Sequence, residues 1–315
     1  MFKNKKILVL EGGFNEEHEI SLSTAKQIKK SFKELGLNYK SLIVNPNSFE
    51  NDIMDFDNSY ICFNALHGQY GEDGQIQTIL DNLSFKYTHS NAETSYNCFN
   101  KDIAKKLISN EIVNFPFSLQ INIDQINEKD LSQFLKEIGQ FVIKPVSSGS
   151  SFGIVIIKDK NDIRILIKSL KNKINLFHNH NIFLVEKFIL GKELTVGVIE
   201  ENFQSKPLEV TEIQFKNNFY DYKSKYKTGL SKHIIPAEIP KEVYEECKNI
   251  SKIVHDKMKC KSISRSDFIY SGKKLFFLEI NSQPGLTPVS LLPEQLKYKN
   301  IAFNELVYNI INSIL

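Results

Sequence analysis

Short apolar runs bounded by glycine or polar turns alternate along the chain with stretches whose apolar positions recur at helical spacing, so strands and amphipathic helices are expected to exchange. Lys6–Leu10 predicts a buried strand, Glu11-Gly12-Gly13 the turn after it, and Ser21–Leu35 a helix with Ser21 or Ser23 as N-cap and Gly36 as C-cap. Strands at Tyr39–Val44 and Tyr60–Asn64 and a helix near Gln75–Leu83 complete a doubly wound unit. Ligands in such units gather at the carboxyl ends of the strands, which brings Glu17 towards the His67-Gly68 loop.

A second unit opens with a helix over Lys101–Asn110, pauses at Pro116, and continues through the strand Phe141–Pro145, a glycine-serine loop and the strand Ile154–Ile157. Asn161–Phe177 then reads as a helix with Ile163, Ile167 and Leu170 on one face. The third unit has strands at Ile182–Lys187 and Leu194–Glu200, a helix near Lys241–Met258, strands at Ile263–Tyr270 and Leu275–Ile280, and a terminal helix over 300–314. The expected division is 1–96, 97–185 and 186–315, with 217–231 as a lid. That loop is aromatic and basic, and loops of its length inside compact domains tend to be functional; a solvated surface excursion is the bland alternative.

Composition narrows the function classes. The 315 residues, 41% hydrophobic and 24% charged, fit a soluble chain of two or three α/β units. No apolar run approaches a membrane span, and the N-terminus passes into a strand rather than a signal peptide, so a cytoplasmic protein without membrane contact is expected. A net charge of +3, with lysines scattered, gives nucleic-acid binding little support. The four cysteines show neither CxxC spacing nor a histidine pair nearby and read as reduced, mostly buried thiols. Only Arg164 and Arg265 are arginine among the 40 basic residues, so an arginine that persists invites a chemical reason.

Four segments carry candidate chemistry. In RSDF and LEINSQPG, Arg265, Asp267, Glu279 and Asn281 sit on two apolar strands expected to pair around Ser271-Gly272; residues two apart share a face, and two carboxylates with an amide oxygen suit Mg²⁺. The alternative is a surface hairpin in which Arg265 merely bridges Asp267. KPVSSGSSFG at 144–153 places Lys144 at a strand end before a small-residue loop able to wrap phosphate, or simply an ordinary turn. No Walker A sequence occurs. VEKFILGKEL offers Glu186, Lys187 and Glu193 around an extended hinge, a pattern any strand-turn-strand would also give. HGQYGEDG sets His67 among glycines before a helix, where an anion is favoured, although a lone histidine is often structural.

Taken in order, these segments resemble the D-alanine:D-alanine ligases of the ATP-grasp superfamily over essentially the whole chain. GGFNEEHEIS is similar to that family's GG-x-S-x-E-x-E-V-S, HGQYGEDGQIQ to HG-x-x-GEDG-x-x-Q, and KPVSSGSSFG to KP-x-x-x-GSS-x-G; FYDYKSKY resembles the lid, and SRSDF with LEINSQPGLTPVSLLP the metal and second-substrate segment. The resemblance implies an α/β class, α+β in its ATP-binding part: an ATP-grasp fold of three domains behind an N-terminal doubly wound parallel sheet. ATP would be gripped between the second and third domains. Lys101, Lys144 and Ser151 would meet phosphates, Glu186, Lys187 and Ile189 adenine, and Glu193 ribose. Asp267, Glu279 and Asn281 would hold two Mg²⁺ ions, with Mn²⁺ able to substitute.

By the same resemblance the first D-alanine is phosphorylated by ATP, and the amine of the second attacks the acyl phosphate. Glu17 would hold the first ammonium and join Ser150 and Tyr226 in a polar trio; His67 would lie by the first carboxylate. Arg265 and the Gly285 N–H would stabilise the oxyanion, Ser290 and Leu291 would receive the second carboxylate, and Lys225 would reach the transferring phosphate. Tyr226 favours D-alanine over D-lactate, and a homodimer is the family habit. Ser148 stands where the family usually has Glu, and Asn100 where Asp often precedes the lysine. Rival readings are another ATP-grasp ligase such as D-alanine:D-lactate ligase, a catalytically silent nucleotide module, and a dinucleotide oxidoreductase, the last disfavoured because EGGFNE lacks GxGxxG.

Overall fold

The apolar run that opens the chain is buried on both sides because it lies inside a parallel sheet. In a computed structural model, which describes residues 5–149, 153–171, 180–215 and 231–315, β1 (Lys6–Gly12), β2 (Asn38–Val44), β3 (Tyr60–Asn64) and β4 (Lys86–Tyr87) pair in the order β2-β1-β3-β4, all parallel. Ile7, Val9 and Phe63 face a core shared with the helix His18–Glu34, whereas Leu8, Leu10 and Cys62 face Phe49, Ile53, Ile76 and Leu80. Alternate residues thus enter different cores, which is why the strand reads as continuously apolar. The terminal helix Phe303–Asn312 returns Leu306, Val307, Ile310 and Ile311 to the core of Ile28 and Phe32.

The first helix starts at His18, with Glu17 rather than a serine at its N-cap. Ser21 lies one turn inside, and its hydroxyl accepts the Gly12 N–H at 2.8 Å, tying the helix to the end of β1. Between Pro116 and Phe141 the chain adds elements not expected above: β5 (Ser118–Asn122), a 3-10 turn at Ile123–Gln125 and the helix Glu128–Ile138. That helix turns Leu131, Phe134, Leu135 and Ile138, at helical spacing, onto one core, and it begins at Asn127, whose side chain accepts the Asp130 N–H at 2.9 Å.

β5, β6 (Phe141–Pro145), β7 (Val155–Ile157) and β8 (Ile182–Lys187) form an antiparallel sheet, β5-β8-β6-β7, covered by Glu128–Ile138 and Lys160–Lys171. The part of the expected second-unit helix beyond Lys171 falls outside the described residues until 180. β9 (Lys192–Glu201), β10 (Gln204–Pro207), β11 (Thr211–Phe215), β12 (Ser231–Ile234), β13 (Ile263–Tyr270) and β14 (Leu275–Asn281) make a second antiparallel sheet, β12-β11-β9-β13-β14, with β10 folded back on β9. Its core joins Val196, Phe268, Phe277 and Ile280 to Cys247 and Val254 of the helix Lys241–Lys257 and to Ala104 and Ile108 of the helix Lys101–Ile108. The helix bearing Lys101 therefore rests on the third sheet.

All four cysteines are free and buried. Phe277 is fully buried, its ring edge-on to Phe268 at 5.4 Å and to Phe115 at 5.9 Å. Phe277→Ala is expected to cost about 3–5 kcal/mol by leaving a cavity beneath β14, read as a fall in the urea midpoint at constant slope.

Candidate active site

A cleft of about 270 Å³ lies where the three sheets approach one another. Glu17, His67, Lys101, Lys144, Glu186, Lys187, Ile189, Glu193, Arg265, Asp267, Glu279, Asn281, Gly285, Ser290 and Leu291 all line it. Ser150, Ser151, Lys225 and Tyr226 lie outside the described residues.

The floor is the β13–β14 pair, in which Arg265 stands opposite Asn281 and Asp267 opposite Glu279. Directly opposed residues share a face, so all four side chains turn to the cleft. A register shift beside Asp267 leaves Leu278 as an extra residue on β14, so that Leu278 and Glu279 both line the cleft. Arg265 donates through Nε to Asp267 Oδ1 at 2.9 Å and through Nη2 to Oδ2 at 2.8 Å, a bidentate pair; Thr195 Oγ1 adds a donor to Oδ1 at 2.6 Å. The Arg265–Asp267 bridge weighed above is therefore present, and Lys101 supplies Glu279 with a separate cation at 3.2 Å from Oε2. Among the described residues no three carboxylate, imidazole or thiol side chains gather as a metal cluster. The candidate set is two carboxylates and an amide. Asn281 Oδ1 accepts the Gln283 N–H at 2.7 Å, which uses one of its two lone pairs.

Buried lysines form the opposite wall. Lys101 Nζ donates to the Ser148 carbonyl at 2.7 Å, and its backbone N–H to the Val146 carbonyl at 2.9 Å, so the helix start is tied to the glycine-serine loop. Asn100 caps that helix, its side chain accepting the Asp102 and Ile103 N–H groups at 3.1 and 3.0 Å, a task asparagine performs as well as aspartate. Lys144 donates to Glu186 Oε1 at 2.6 Å, and Lys105 pairs with Oε2. Burial alone would raise the Glu186 carboxyl, but Lys144 and Lys105 together hold it below its ordinary value. Burial lowers the Lys105 ammonium despite the pull of Glu186.

The loops after β1 and β3 close the remaining side. Asn15 Nδ2 donates to the carbonyls of His67 and Gln69, both at 2.8 Å, joining the two loops. Glu17 lies between glycines: a Cβ at either Gly68 or Gly149 would sit 2.5 Å from its Oε2. His67 Nδ1 donates to Glu72 at 2.9 Å, a tautomer assigned from the acceptor-only carboxylate, and Nε2 then accepts from Thr24 at 2.8 Å. His67 thus lines the cleft with both ring nitrogens satisfied. Behind it His89 is pushed down to about 3 by burial and by the neighbouring His67.

Three amides hold these parts together. Gln283 donates to the Leu66 carbonyl at 2.7 Å and accepts from Asn64 at 3.1 Å, linking β14 to the His67 loop. Gln295, fully buried on the helix Leu291–Tyr298, accepts the Gly197 N–H at 2.8 Å and donates to Thr211 Oγ1 at 2.9 Å. Ser290 precedes that helix, its hydroxyl 2.8 Å from Thr287 Oγ1 and 3.0 Å from where a Gly285 Cβ would lie.

The family model described as the D-ala D-ala ligase C-terminus matches residues 111–312. The chain belongs to the D-Ala-D-Ala ligase family. Over its full length it is 36% identical to the D-alanine--D-alanine ligase of Zymomonas mobilis, covering 95% of that protein. Among solved structures, the D-alanine--D-alanine ligase of Bacillus anthracis complexed with ATP superposes with a TM-score of 0.79 at 27% identity, over 98% of this chain and 96% of that one. The VanG D-Ala:D-Ser ligase of Enterococcus faecalis gives 0.78 at 25%, over 99% and 100%. The fold is accordingly ATP-grasp, with the expected N-terminal parallel sheet.

For this D-Ala-D-Ala ligase family member, sequence reasoning missed Lys105, Thr195, Gln283 and Gln295. Lys105 had a signal, one turn from Lys101 on the helix face that carries Ala104 and Ile108. The other three are single polar residues whose partners are distant in sequence.

Gly149→Ala is expected to force Glu17 or its own loop to move, at about 1–3 kcal/mol, lowering the urea midpoint; an unchanged midpoint would show that the two yield freely. The folded-state value of His89, about 3, lies below its ordinary 6.5, so between those values the unfolded chain binds a proton that the folded chain refuses. Stability is lost as pH falls through that window. His89→Gln should make the dependence of unfolding free energy on pH shallower by up to about 1.4 kcal/mol per pH unit.

Proposed function

We propose that this chain joins two D-alanine molecules into D-alanyl-D-alanine, a peptidoglycan precursor, with ATP converted to ADP and phosphate. The observation that carries this is the single cleft lined at once by Glu17 and His67 of the first sheet's loops, Lys144 and Glu186 of the second sheet, and Asp267, Glu279 and Asn281 of the third. It is supported by the D-alanine--D-alanine ligases to which the chain is similar over its whole length.

ATP lies between the second and third sheets on this reading. Glu186, Lys187 and Ile189 meet the adenine edge, Glu193 takes ribose hydroxyls, and Lys101, Lys144 and Ser151 hold phosphates. The donor set of Asp267, Glu279 and Asn281 fits magnesium, since it is all oxygen and the amide keeps a lone pair beyond its bond to Gln283. Two Mg²⁺ ions, or Mn²⁺ in their place, would offset phosphate charge when bound.

Glu17 holds the ammonium of the first D-alanine, with Ser150 and Tyr226 beside it, and His67 stands by its carboxylate. That carboxylate attacks the γ-phosphorus in line, and the bond to ADP breaks to leave D-alanyl phosphate. Lys225 attends the transferring phosphate. Ser290 and Leu291, at the start of an eight-residue helix, fix the carboxylate of the second D-alanine. Its amine attacks the acyl carbon, the oxyanion is met by Arg265 and the Gly285 N–H, and phosphate leaves. Arg265 suits the task because its pairing with Asp267 holds the guanidinium in one plane beside the reacting centre.

The reading also carries three units, 1–96, 97–185 and 186–315 with a lid at 217–231, a cytoplasmic location and a homodimer. Among the described residues no helix is long and apolar enough to cross a membrane.

Purified protein with Mg²⁺, ATP and D-alanine should release phosphate and form D-alanyl-D-alanine, both measured directly. Glu279→Ala should reduce the rate by at least about 10²-fold while the melting transition persists. Offering D-serine and D-lactate as second substrates tests the choice of acceptor: a product with either one, and none with D-alanine alone, would overturn the substrate assignment but leave the nucleotide reading standing.

A further inference from the structure

Glu186 divides its two carboxylate oxygens between lysines in different positions. Oε1 accepts from Lys144, which lines the cleft, and Oε2 pairs with Lys105, which lies behind Glu186 and does not line it. All three are buried, Glu186 at 2% exposure and both lysines at 7%. A carboxylate so placed needs a cation at every stage of a reaction, because stranding it unpaired in a dry wall is costly.

The charge count then decides what Lys144 can offer a ligand. With Lys144 alone, lysine and glutamate would form a neutral pair and present no net charge to the cleft. Lys105 changes this by offsetting Glu186 from the far side, so the charge of Lys144 is in excess. We propose that Lys105 is a positioning residue for nucleotide binding, neutralising Glu186 from behind so that Lys144 remains available to the triphosphate. This rests on the reading of the cleft as an ATP site.

The surroundings agree. Lys101, one turn before Lys105 on the same helix, is engaged elsewhere, donating to the Ser148 carbonyl at 2.7 Å and standing 3.2 Å from Glu279. Glu186 stays ionised against its burial through Lys144 and Lys105 together. A purely structural Lys105 would be an ion pair holding a helix to β8, with no influence on ligands.

The test is a double-mutant cycle on the full chain: Mg²⁺-ATP affinity by calorimetry for wild type, Lys105→Met, Glu186→Gln and the double variant, together with KM for each substrate. Lys105→Met is expected to weaken ATP binding by at least about tenfold with KM for D-alanine held within about twofold. In the Glu186→Gln background the same change should cost almost nothing, because no carboxylate is left to claim Lys144. Equal losses in both backgrounds, or unchanged affinity in Lys105→Met, overturn the proposal. Should Lys105→Met fail to fold, Glu186→Gln and the double variant still decide it: matched ATP affinities support it and a further drop in the double variant overturns it. A wild-type chain that takes up no ATP overturns the nucleotide reading, and this inference with it.

Discussion

A carboxylate buried as deeply as Glu186 stays ionised only if cations are brought to it, and meeting that condition draws together parts of the chain far apart in sequence. Glu186 belongs to β8, Lys144 to the neighbouring β6, and Lys105 to a helix that rests on the third sheet through Ala104 and Ile108. The pairing therefore fastens the second sheet to the third along the cleft. The bond from the Lys101 N–H to the Val146 carbonyl and the Asn100 cap keep the helix at the height at which both of its buried lysines reach the wall.

Neutral amides fix what charge leaves loose. An ion pair tolerates some change of direction, whereas a buried amide must satisfy donors and acceptor together in one plane. Gln283 and Asn64 lock the end of β14 to the loop that carries His67, and Gln283 also steadies Asn281 through its own backbone N–H. Gln295 pins the helix that begins after Ser290 to β9, next to the Thr195 hydroxyl that holds Asp267. The candidate metal oxygens, the first-sheet loops and the turn at Ser290 are thereby held in one frame.

Much of this was legible beforehand. The period-two faces of β13 and β14 foretold that Arg265 and Asp267 would point together with Glu279 and Asn281, and the hairpin pairs them so. The rule that ligands gather at strand ends foretold the meeting of Glu17 with the His67-Gly68 loop. The helix start failed because a polar residue at the expected spacing can serve a neighbouring turn instead: Ser21 accepts from Gly12 while Glu17 occupies the cap. Glu128–Ile138 was equally legible, with Leu131, Phe134, Leu135 and Ile138 at helical spacing after the Asn127 cap, although it was not among the expected elements.

The sequence by itself determined the longer strands and helices that flank the cleft and the kinds of chemistry present, since periodicity, turn residues and short motifs are local properties of the chain. Its ordered motifs also carried the family resemblance. Only the tertiary structure decided which charges meet. Glu279 pairs with Lys101 and Glu186 with Lys105, across separations that no local pattern records. Likewise, it placed the one carboxylate of Glu17 against both Gly68 and Gly149. Pairing energy depends on distance and burial in space, and neither is a function of spacing along the chain.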